Sequence, residues 1–248
     1  MSTVKIERHG QVAVVRLDHG VTNAVGNDLV EDLSEALKEV RETCKGMVLA
    51  GGTKFFCMGL NLPELLKLDR PAMSGFWYRF NQVNLDLYTL PVPTACAVAG
   101  HAPAAGTVFM LDCDFRIATS ERKMFGLNEV KLGLPVPYLT ILILGQTVSN
   151  QASIEILYRG EFIEPAKAAE IGLVDGIVEP DRVEEVALRR IQEVAALPQP
   201  ALAAIKATRV EEVRLRFEKN RKEWDGIFLD CWFSETAQKI LAKTAEKF

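Results

Sequence analysis

The chain has 248 residues, 48 % of them hydrophobic, and a formal net charge of −4. This size and composition predict a globular protein with one large core, or one domain plus an appendage. The mild negative charge, without any long basic stripe, argues against a nucleic acid partner. No apolar run reaches the roughly 18 residues that a membrane-spanning helix needs, so no membrane contact is predicted.

The N-terminal residues and the cysteines point to one cellular setting. The opening MSTVKIERHG has no apolar stretch behind a basic one, so it does not read as a secretory signal. The five cysteines are scattered, odd in number and form no CxxC pair, which is typical of reduced thiols in a cytoplasmic protein. The three histidines lack the spacing of metal ligands, so no metal site is predicted; they are His9, His19 and His101.

The first part of the chain alternates between β and α patterns. Residues 4–17 predict two strands rich in valine, and leucines at helical spacing predict a helix over about 28–43 with Asn27 as its N-cap. A short apolar run at 47–50 then predicts a buried strand. This alternation favours an α/β sheet with helices outside it.

The remaining elements continue the pattern and then become mostly helical. Asn61 is placed to cap a short helix, and a helix over about 74–89 is followed by strands at 94–99 and 114–117. Beyond Pro137 the pattern is mainly helical. It predicts a strand within about 172–178, an amphipathic helix over 181–196, and a charged helical tail to Phe248.

Two loops of small residues lead from buried strands into helices. They are residues 51–59, GGTKFFCMG, and residues 100–106, GHAPAAG. Backbone N–H groups at a helix start are free, and the positive end of the helix dipole favours negative charge there. Two such loops aimed at one point would form an oxyanion hole. Each loop taken alone is more often an ordinary strand–helix turn.

Glu129 is the only carboxylate in a mostly apolar stretch, FGLNEVKLGL. A carboxylate beside apolar walls has a raised pKa and can act as a general base. By pattern alone a surface glutamate that caps a helix or pairs with Lys131 is the default interpretation. The loops that precede Glu129 are what make it a catalytic candidate.

Five short motifs succeed one another along nearly the whole chain. They are VVRL with Asn23-Ala24, the run Lys54–Leu62, the run Val98–Gly106, the run Asp112–Ala118, and the run Ala166–Val174. In this order the motifs resemble those of the crotonase superfamily, the enoyl-CoA hydratase/isomerase proteins. The resemblance implies an α/β fold, a spiral of β-β-α turns.

The resemblance also implies a division of the chain, an assembly and a substrate. Residues 1–196 would form the spiral core, and residues 197–248 a helical region that builds a homotrimer or a hexamer of two stacked trimers. The substrate would be an acyl-CoA thioester. Coenzyme A is then part of the substrate, and no separate cofactor is expected.

Matching positions transfer the family's site to this chain. The thioester carbonyl oxygen would accept hydrogen bonds from the backbone amides of Met58 and Ala105. Glu129 would be the catalytic acid–base group. The residues expected to contact the substrate are Lys54, Phe56, Gly59, Leu60, Gly106, Val108 and Leu134.

Val108 stands where the family's hydratases carry the first of two glutamates, and Glu129 matches the second. Hydration needs two groups, whereas moving a double bond needs one base. The chain is therefore most similar in motif to Δ3,Δ2-enoyl-CoA isomerases of fatty acid metabolism. Glu129 would take a proton from C2 of a 3-enoyl thioester and return it to C4.

Several alternatives stay open on the sequence. Another crotonase-type reaction, such as hydration, would place a base elsewhere, for example at Asp112 or Glu64. A non-catalytic CoA-ester binder or an RNA-binding scaffold is the alternative from a different class. Phe76, Trp77 and Phe80 would shape an acyl pocket or only the core, and core packing is the favoured role of residues 138–144. Lys54, Lys239 and Lys243 would reach CoA or be solvated.

Overall fold

The computed structural model describes residues 2–246. The strands are β1 (Val4–His9), β2 (Val12–Leu17), β3 (Gly46–Ala50), β4 (Thr94–Val98), β5 (Ala102–Pro103), β6 (Phe115–Thr119), β7 (Phe125–Gly126) and β8 (Gly176–Val178). The helices are α1 (Asn27–Thr43), α2 (Leu62–Leu65), α3 (Arg70–Tyr88), α4 (Ala105–Asp112), α5 (Tyr138–Thr147), α6 (Asn150–Arg159), α7 (Pro165–Glu170), α8 (Val183–Ala195), α9 (Gln199–Trp232) and α10 (Glu235–Ala245). Single 3₁₀ turns lie at Glu129–Leu132 and Pro180–Arg182.

Six strands form one sheet in the order β1-β2-β3-β4-β6-β8. The pair β1 and β2 is the predicted antiparallel hairpin, and every later pair in this sheet is parallel. Every residue of β3 and β4 is buried, as expected for a parallel sheet covered on both faces. The predicted α/β fold is confirmed.

The alternation of side chains along the strands divides the interior in two. Val48 and Ala95 point to a small cluster under α8, whereas Leu49 and Cys96 point to the main core. The main core is closed by α1, α3, α4, α5 and α9. Strand ends and helix starts on this side position the candidate site.

The long helix α9 is tied to the sheet by a buried ion pair. Nζ of Lys206 donates to the carbonyl oxygen of Val92 at 2.9 Å and to Oδ2 of Asp114 at 2.6 Å. The same carboxylate accepts the backbone N–H of Thr94 at 2.9 Å. Lys206 is 5 % exposed, so its ammonium relies on these partners.

Two helix starts differ from the prediction. Gly26, not Asn27, is the N-cap of α1, and the carboxylate of Glu64 accepts from the backbone N of Asn27 at 3.0 Å. A side chain distant in sequence thus replaces the predicted local cap. Helix α3 begins several residues earlier than predicted, because Asp69 caps it by accepting from the backbone N of Ala72 at 2.9 Å.

The end of the chain follows the prediction in outline. The return to β structure predicted at about 172–178 is confined to β8, because residues 171–175 form turns and bends. The predicted boundary between residues 196 and 197 falls between α8 and α9, and the last two residues of the predicted C-terminal region lie outside the described residues. Among residues 2–246, no helix combines the length and apolarity needed to cross a membrane.

Candidate active site

The two loops predicted to act together lie side by side. Phe55 and His101 form a parallel bridge, in which the backbone N of His101 donates to the carbonyl oxygen of Lys54 at 3.0 Å. The backbone N of Phe56 donates in return to the carbonyl oxygen of His101 at 2.9 Å. This short ladder fixes the start of α4 against the loop that follows β3.

Glycine is required where the two loops cross. A Cβ added to Gly106 would lie 2.4 Å from the carbonyl oxygen of Cys57, and one added to Gly100 would lie 2.4 Å from that of Gly52. Both contacts involve backbone, which cannot move aside without separating the loops. Gly106 does not line the cavity, so its role is close packing rather than the predicted contact with substrate.

We expect Gly106→Ala to lower the catalytic rate by on the order of 10²-fold, because an ångström of displacement at a preorganised site has that effect. The comparison is kcat of the purified variant against the wild type, with thermal melting recorded for both. Gly145→Ala is the matched control, since a Cβ there meets nothing within 4 Å. An unchanged rate in Gly106→Ala would show that the loop contact does not control the site.

The loops open onto a cavity of about 370 Å³ with mostly apolar walls. Of the residues predicted to form the site, seven line it: Met58, Gly59, Leu60, Ala105, Val108, Glu129 and Leu134. Lys54 is exposed and Phe56 is fully buried in the core, and neither of them lines the cavity. For Lys54 and Phe56 the structure therefore does not support the predicted contact with substrate in this cavity.

Glu129 begins the 3₁₀ turn after β7 and is only 8 % exposed. Its Oε2 atom has no hydrogen-bond partner among the described residues. Burial raises the pKa of Glu129 to about 7, and a hydrogen bond from its own backbone N–H opposes this shift. Glu129 is therefore a buried side chain, not the surface glutamate that the sequence pattern alone favours. With this pKa, its carboxyl group can gain or lose a proton near neutral pH.

Glu129 is the only acid among the described residues that line the cavity. Val108, which lies one turn into α4, is fully buried and contributes an apolar wall where a second acid would stand. Asp112 is also buried, with its pKa raised well above the usual range by burial, but it does not line the cavity. Glu64 caps α1. Neither alternative base is in place.

The start of α4 offers one of the two predicted amides. Ala105 is the first residue of the helix and lines the cavity, and N–H groups at this position have no partner within a helix. Ala104 before it has φ of 50°, a left-handed conformation that non-glycine residues rarely adopt. Such strain at a loop beside a cavity is typical of functional sites.

The other predicted amide is engaged within the protein. The backbone N–H of Met58 donates to the carbonyl oxygen of Thr22 at 2.9 Å. It is therefore not free to bind an oxyanion, and the assignment of Met58 as the second donor is wrong in this structure. The side chain of Met58 still lines the cavity.

The adjacent backbone supplies a replacement for Met58. Val25 donates to the carbonyl oxygen of Gly59 at 2.8 Å and accepts from the backbone N of Asn61 at 2.9 Å. In a parallel bridge of this kind, the residue between those two, Leu60, turns its own N–H away from the partner strand. Leu60 lines the cavity, so its amide is the better candidate beside that of Ala105.

Four further residues that line the cavity were not predicted to contact the substrate. His101, Asn128, Phe228 and Thr244 line the cavity, and the last two come from the C-terminal helices. Nδ1 of His101 accepts the backbone N–H of Met124 at 3.1 Å, which places the proton of the neutral ring on Nε2. Burial and nearby Lys123 both lower the pKa of His101, which favours that neutral form.

Residues 138–144 were expected to pack in the core, and they do. None of them lines the cavity, and Leu139, Ile143 and Leu144 belong to the main core. Lys239 forms an exposed ion pair with Glu235 on α10.

The fold and cavity together define an α/β protein in which a buried glutamate and two loops of small residues line one cavity. The chain belongs to the enoyl-CoA hydratase/isomerase family, because the sequence profile of that family matches residues 7–247. This membership confirms the resemblance inferred from the five motifs.

The chain is similar to an isomerase and to part of a larger protein. The chain is 27 % identical to human "Enoyl-CoA delta isomerase 1, mitochondrial" over 240 residues, covering 95 % of this chain and 80 % of that protein. It is 30 % identical to the "Fatty acid oxidation complex subunit alpha" of Idiomarina loihiensis over 203 residues, covering 77 % of this chain but only 28 % of that one.

Solved structures agree with the fold. The crystal structure of human mitochondrial Δ3-Δ2-enoyl-CoA isomerase superposes with a TM-score of 0.92 at 26 % identity, covering 99 % of this chain and 97 % of the other. An enoyl-CoA hydratase from Bacillus halodurans superposes with a TM-score of 0.89 at 21 % identity, covering 98 % and 100 %. At that identity the second likeness concerns the fold alone.

Proposed function

We propose that this protein moves the double bond of a 3-enoyl-CoA to the 2-position, with Glu129 as its single acid–base group. The carboxylate takes a proton from C2, and electrons shift toward the thioester oxygen to give a dienolate. The protonated carboxyl then returns the proton to C4. Substrate and product are isomers, so one carboxyl completes the cycle without water.

The observation that carries the proposal is the single buried carboxylate in an apolar cavity. Oε2 of Glu129 has no protein partner, and Glu129 lines a cavity in which no other acid is present among the described residues. A pKa near 7 keeps a useful fraction of the group ionised as a base and makes the protonated form a competent acid. Val108 removes the second acid that hydration requires.

The negative charge of the dienolate would be held by the amides of Ala105 and Leu60. Both residues line the cavity, and Ala105 adds the positive end of the α4 dipole. Preorganised donors of this kind contribute on the order of 10²–10³ in rate each. Ala105 is thus kept from the predicted pair of donors, and Leu60 takes the place of Met58.

The proposal is tested by incubating the protein with 3-hexenoyl-CoA and following the absorbance of the conjugated 2-enoyl thioester. Hydration of crotonyl-CoA is measured in parallel. Isomerisation without hydration supports the proposal. Hydration as the main activity, or tight binding of CoA esters with neither reaction, would instead support the hydratase or the non-catalytic alternative.

The pH profile follows from the raised pKa of Glu129. The base must be ionised in the free enzyme, so kcat/KM should fall about tenfold for each pH unit below about 7 and level off above it. Initial rates with 3-hexenoyl-CoA between pH 3.5 and pH 9 measure this. A profile that bends instead near pH 4.5, the ordinary value for glutamate, would contradict the assignment of the buried residue as the base.

We further propose the substrate to be an acyl-CoA thioester of fatty acid metabolism. A homotrimeric or hexameric assembly and a cytoplasmic location stay predictions. Sedimentation of the purified protein tests the first, and imaging of a tagged chain tests the second.

A further inference from the structure

The cavity changes character from one end to the other. At one end it is lined by partly exposed side chains, among them Met124 and Phe162, which are 41 % and 42 % exposed. At the other it is lined by Trp77, Phe80 and Phe228, which are 3 %, 1 % and 2 % exposed. The exposed end is the mouth, and the three buried rings form an aromatic wall at the inner end.

The aromatic wall is a packed stack rather than a loose lining. The rings of Trp77 and Phe228 lie parallel, with centroids 3.4 Å apart and an interplanar angle of 1°. Phe80 packs against Trp77 at 5.4 Å, and Trp232 packs against Phe228 at 5.9 Å from the core side. Rings held on both sides at core density cannot rotate aside for a longer ligand without opening a void.

The two helices that carry the wall are also locked together. Oδ1 of Asp225 on α9 accepts from Nδ2 of Asn81 on α3 at 2.9 Å, and its carboxylate also accepts from the Trp77 indole. Nη1 of Arg221 donates to Oε1 of Gln82 at 2.9 Å. These bonds lie about one and two turns before Phe228, and they fix the distance between α3 and α9 next to the wall.

We propose that the aromatic wall makes this protein selective for short acyl chains. The inference rests on the proposed function, because it takes the cavity to hold the acyl part of a CoA thioester. A volume of about 370 Å³ is near the lower limit of small-molecule pockets, which run from about 300 to 1,000 Å³. The closed inner end leaves a longer chain no continuation. Acyl chains with polar substituents would meet no buried partner at the wall.

The test compares kcat/KM for 3-hexenoyl-CoA and 3-dodecenoyl-CoA in the wild type and in Phe228→Ala. The wild type should prefer the six-carbon substrate by at least about tenfold, since even one misplaced methylene costs on the order of 10–200-fold in a closed pocket. Phe228→Ala should reverse or abolish this preference. Equal use of both substrates by the wild type, or an unchanged ratio in Phe228→Ala, would overturn the proposal.

Matched variants separate an opened pocket from a weakened core. Phe217→Ala removes an equally buried ring that lies on the same helix but outside the cavity. Its ratio of kcat/KM for 3-hexenoyl-CoA to kcat/KM for 3-dodecenoyl-CoA should equal that of the wild type. Phe228→Leu, which removes less volume, provides a second variant if the alanine variant does not fold. A smaller shift in the same direction supports the wall, and no shift in a folded Phe228→Leu counts against it.

Binding measurements keep the inference independent of the reaction. Calorimetric titration with hexanoyl-CoA and dodecanoyl-CoA should show the same preference, and the same reversal in Phe228→Ala. If neither enoyl-CoA is isomerised but this binding pattern is observed, the proposed function is wrong and the proposal that the aromatic wall selects chain length is supported. If isomerisation occurs without any chain-length preference in binding or rate, the proposal about the aromatic wall is wrong and the proposed function is supported.

Discussion

Replacing Glu129 with glutamine should lower kcat for 3-hexenoyl-CoA by on the order of 10²–10⁴, the usual contribution of a general acid–base group. Glutamine keeps the size of the side chain but cannot accept a proton from C2. Because no other acid among the described residues lines the cavity, no neighbour can take over. Steady-state rates at saturating substrate measure the effect.

Binding should survive this substitution. The amides of Ala105 and Leu60 and the apolar walls are unchanged, so the dissociation constant for hexanoyl-CoA should stay within a few-fold of that of the wild type. Glu161→Gln is the matched control, because Glu161 pairs with Lys131 at the surface and does not line the cavity. A Glu129→Gln variant that turns over substrate as fast as Glu161→Gln would rule out the single-base mechanism.

The largest expected effect on stability is at Asp114. Asp114→Ala should lower the free energy of unfolding by about 3–5 kcal/mol, because it leaves the buried ammonium of Lys206 without its counter-ion. The backbone N–H of Thr94 also loses its acceptor. The pKa of Lys206 is already lowered by burial, and the carboxylate of Asp114 opposes that shift. Urea denaturation monitored by circular dichroism measures the change.

A surface pair provides the comparison for Asp114→Ala. Glu235→Ala breaks the exposed pair with Lys239 and should change stability by less than about 0.5 kcal/mol. The double variant Asp114→Leu/Lys206→Met removes both charges and should recover part of the loss. Equal, small effects at Asp114 and Glu235 would show that the buried pair does not hold α9 to the sheet.

The fold could be predicted from the sequence, because the patterns that indicate its elements are local and the motifs follow one another in a fixed order. Alternating apolar runs and helical spacing gave the hairpin, α1, β3 and β4, and the five motifs gave the family. The N-cap of α1 was misassigned by one residue, because the carboxylate that accepts the first free N–H of the helix belongs to Glu64, in another element. No rule about neighbouring residues can find a cap that arrives through tertiary contact.

The candidate site was predicted unevenly for a similar reason. Ala105 and Glu129 were assigned by matching positions to the crotonase superfamily, which the resemblance of the motifs made possible. Whether a backbone amide is free to bind an oxyanion depends on the direction in which the backbone turns. The structure shows that the amide of Met58 donates to Thr22, which leaves the amide of Leu60 as the candidate donor in this loop. Phe228 reaches the cavity from a helix more than a hundred positions after Ala105, where the sequence shows only an apolar residue on a charged helix.

The most direct test of the single-base account is the fate of a deuterium label at C2 of 3-hexenoyl-CoA. If the buried carboxyl of Glu129 takes the proton and returns it, part of the label should appear at C4 of the 2-enoyl product, as read by mass spectrometry and NMR. That transfer should disappear together with turnover in Glu129→Gln. A product that carries no label at C4, formed at an undiminished rate by the Glu129→Gln variant, would contradict the account.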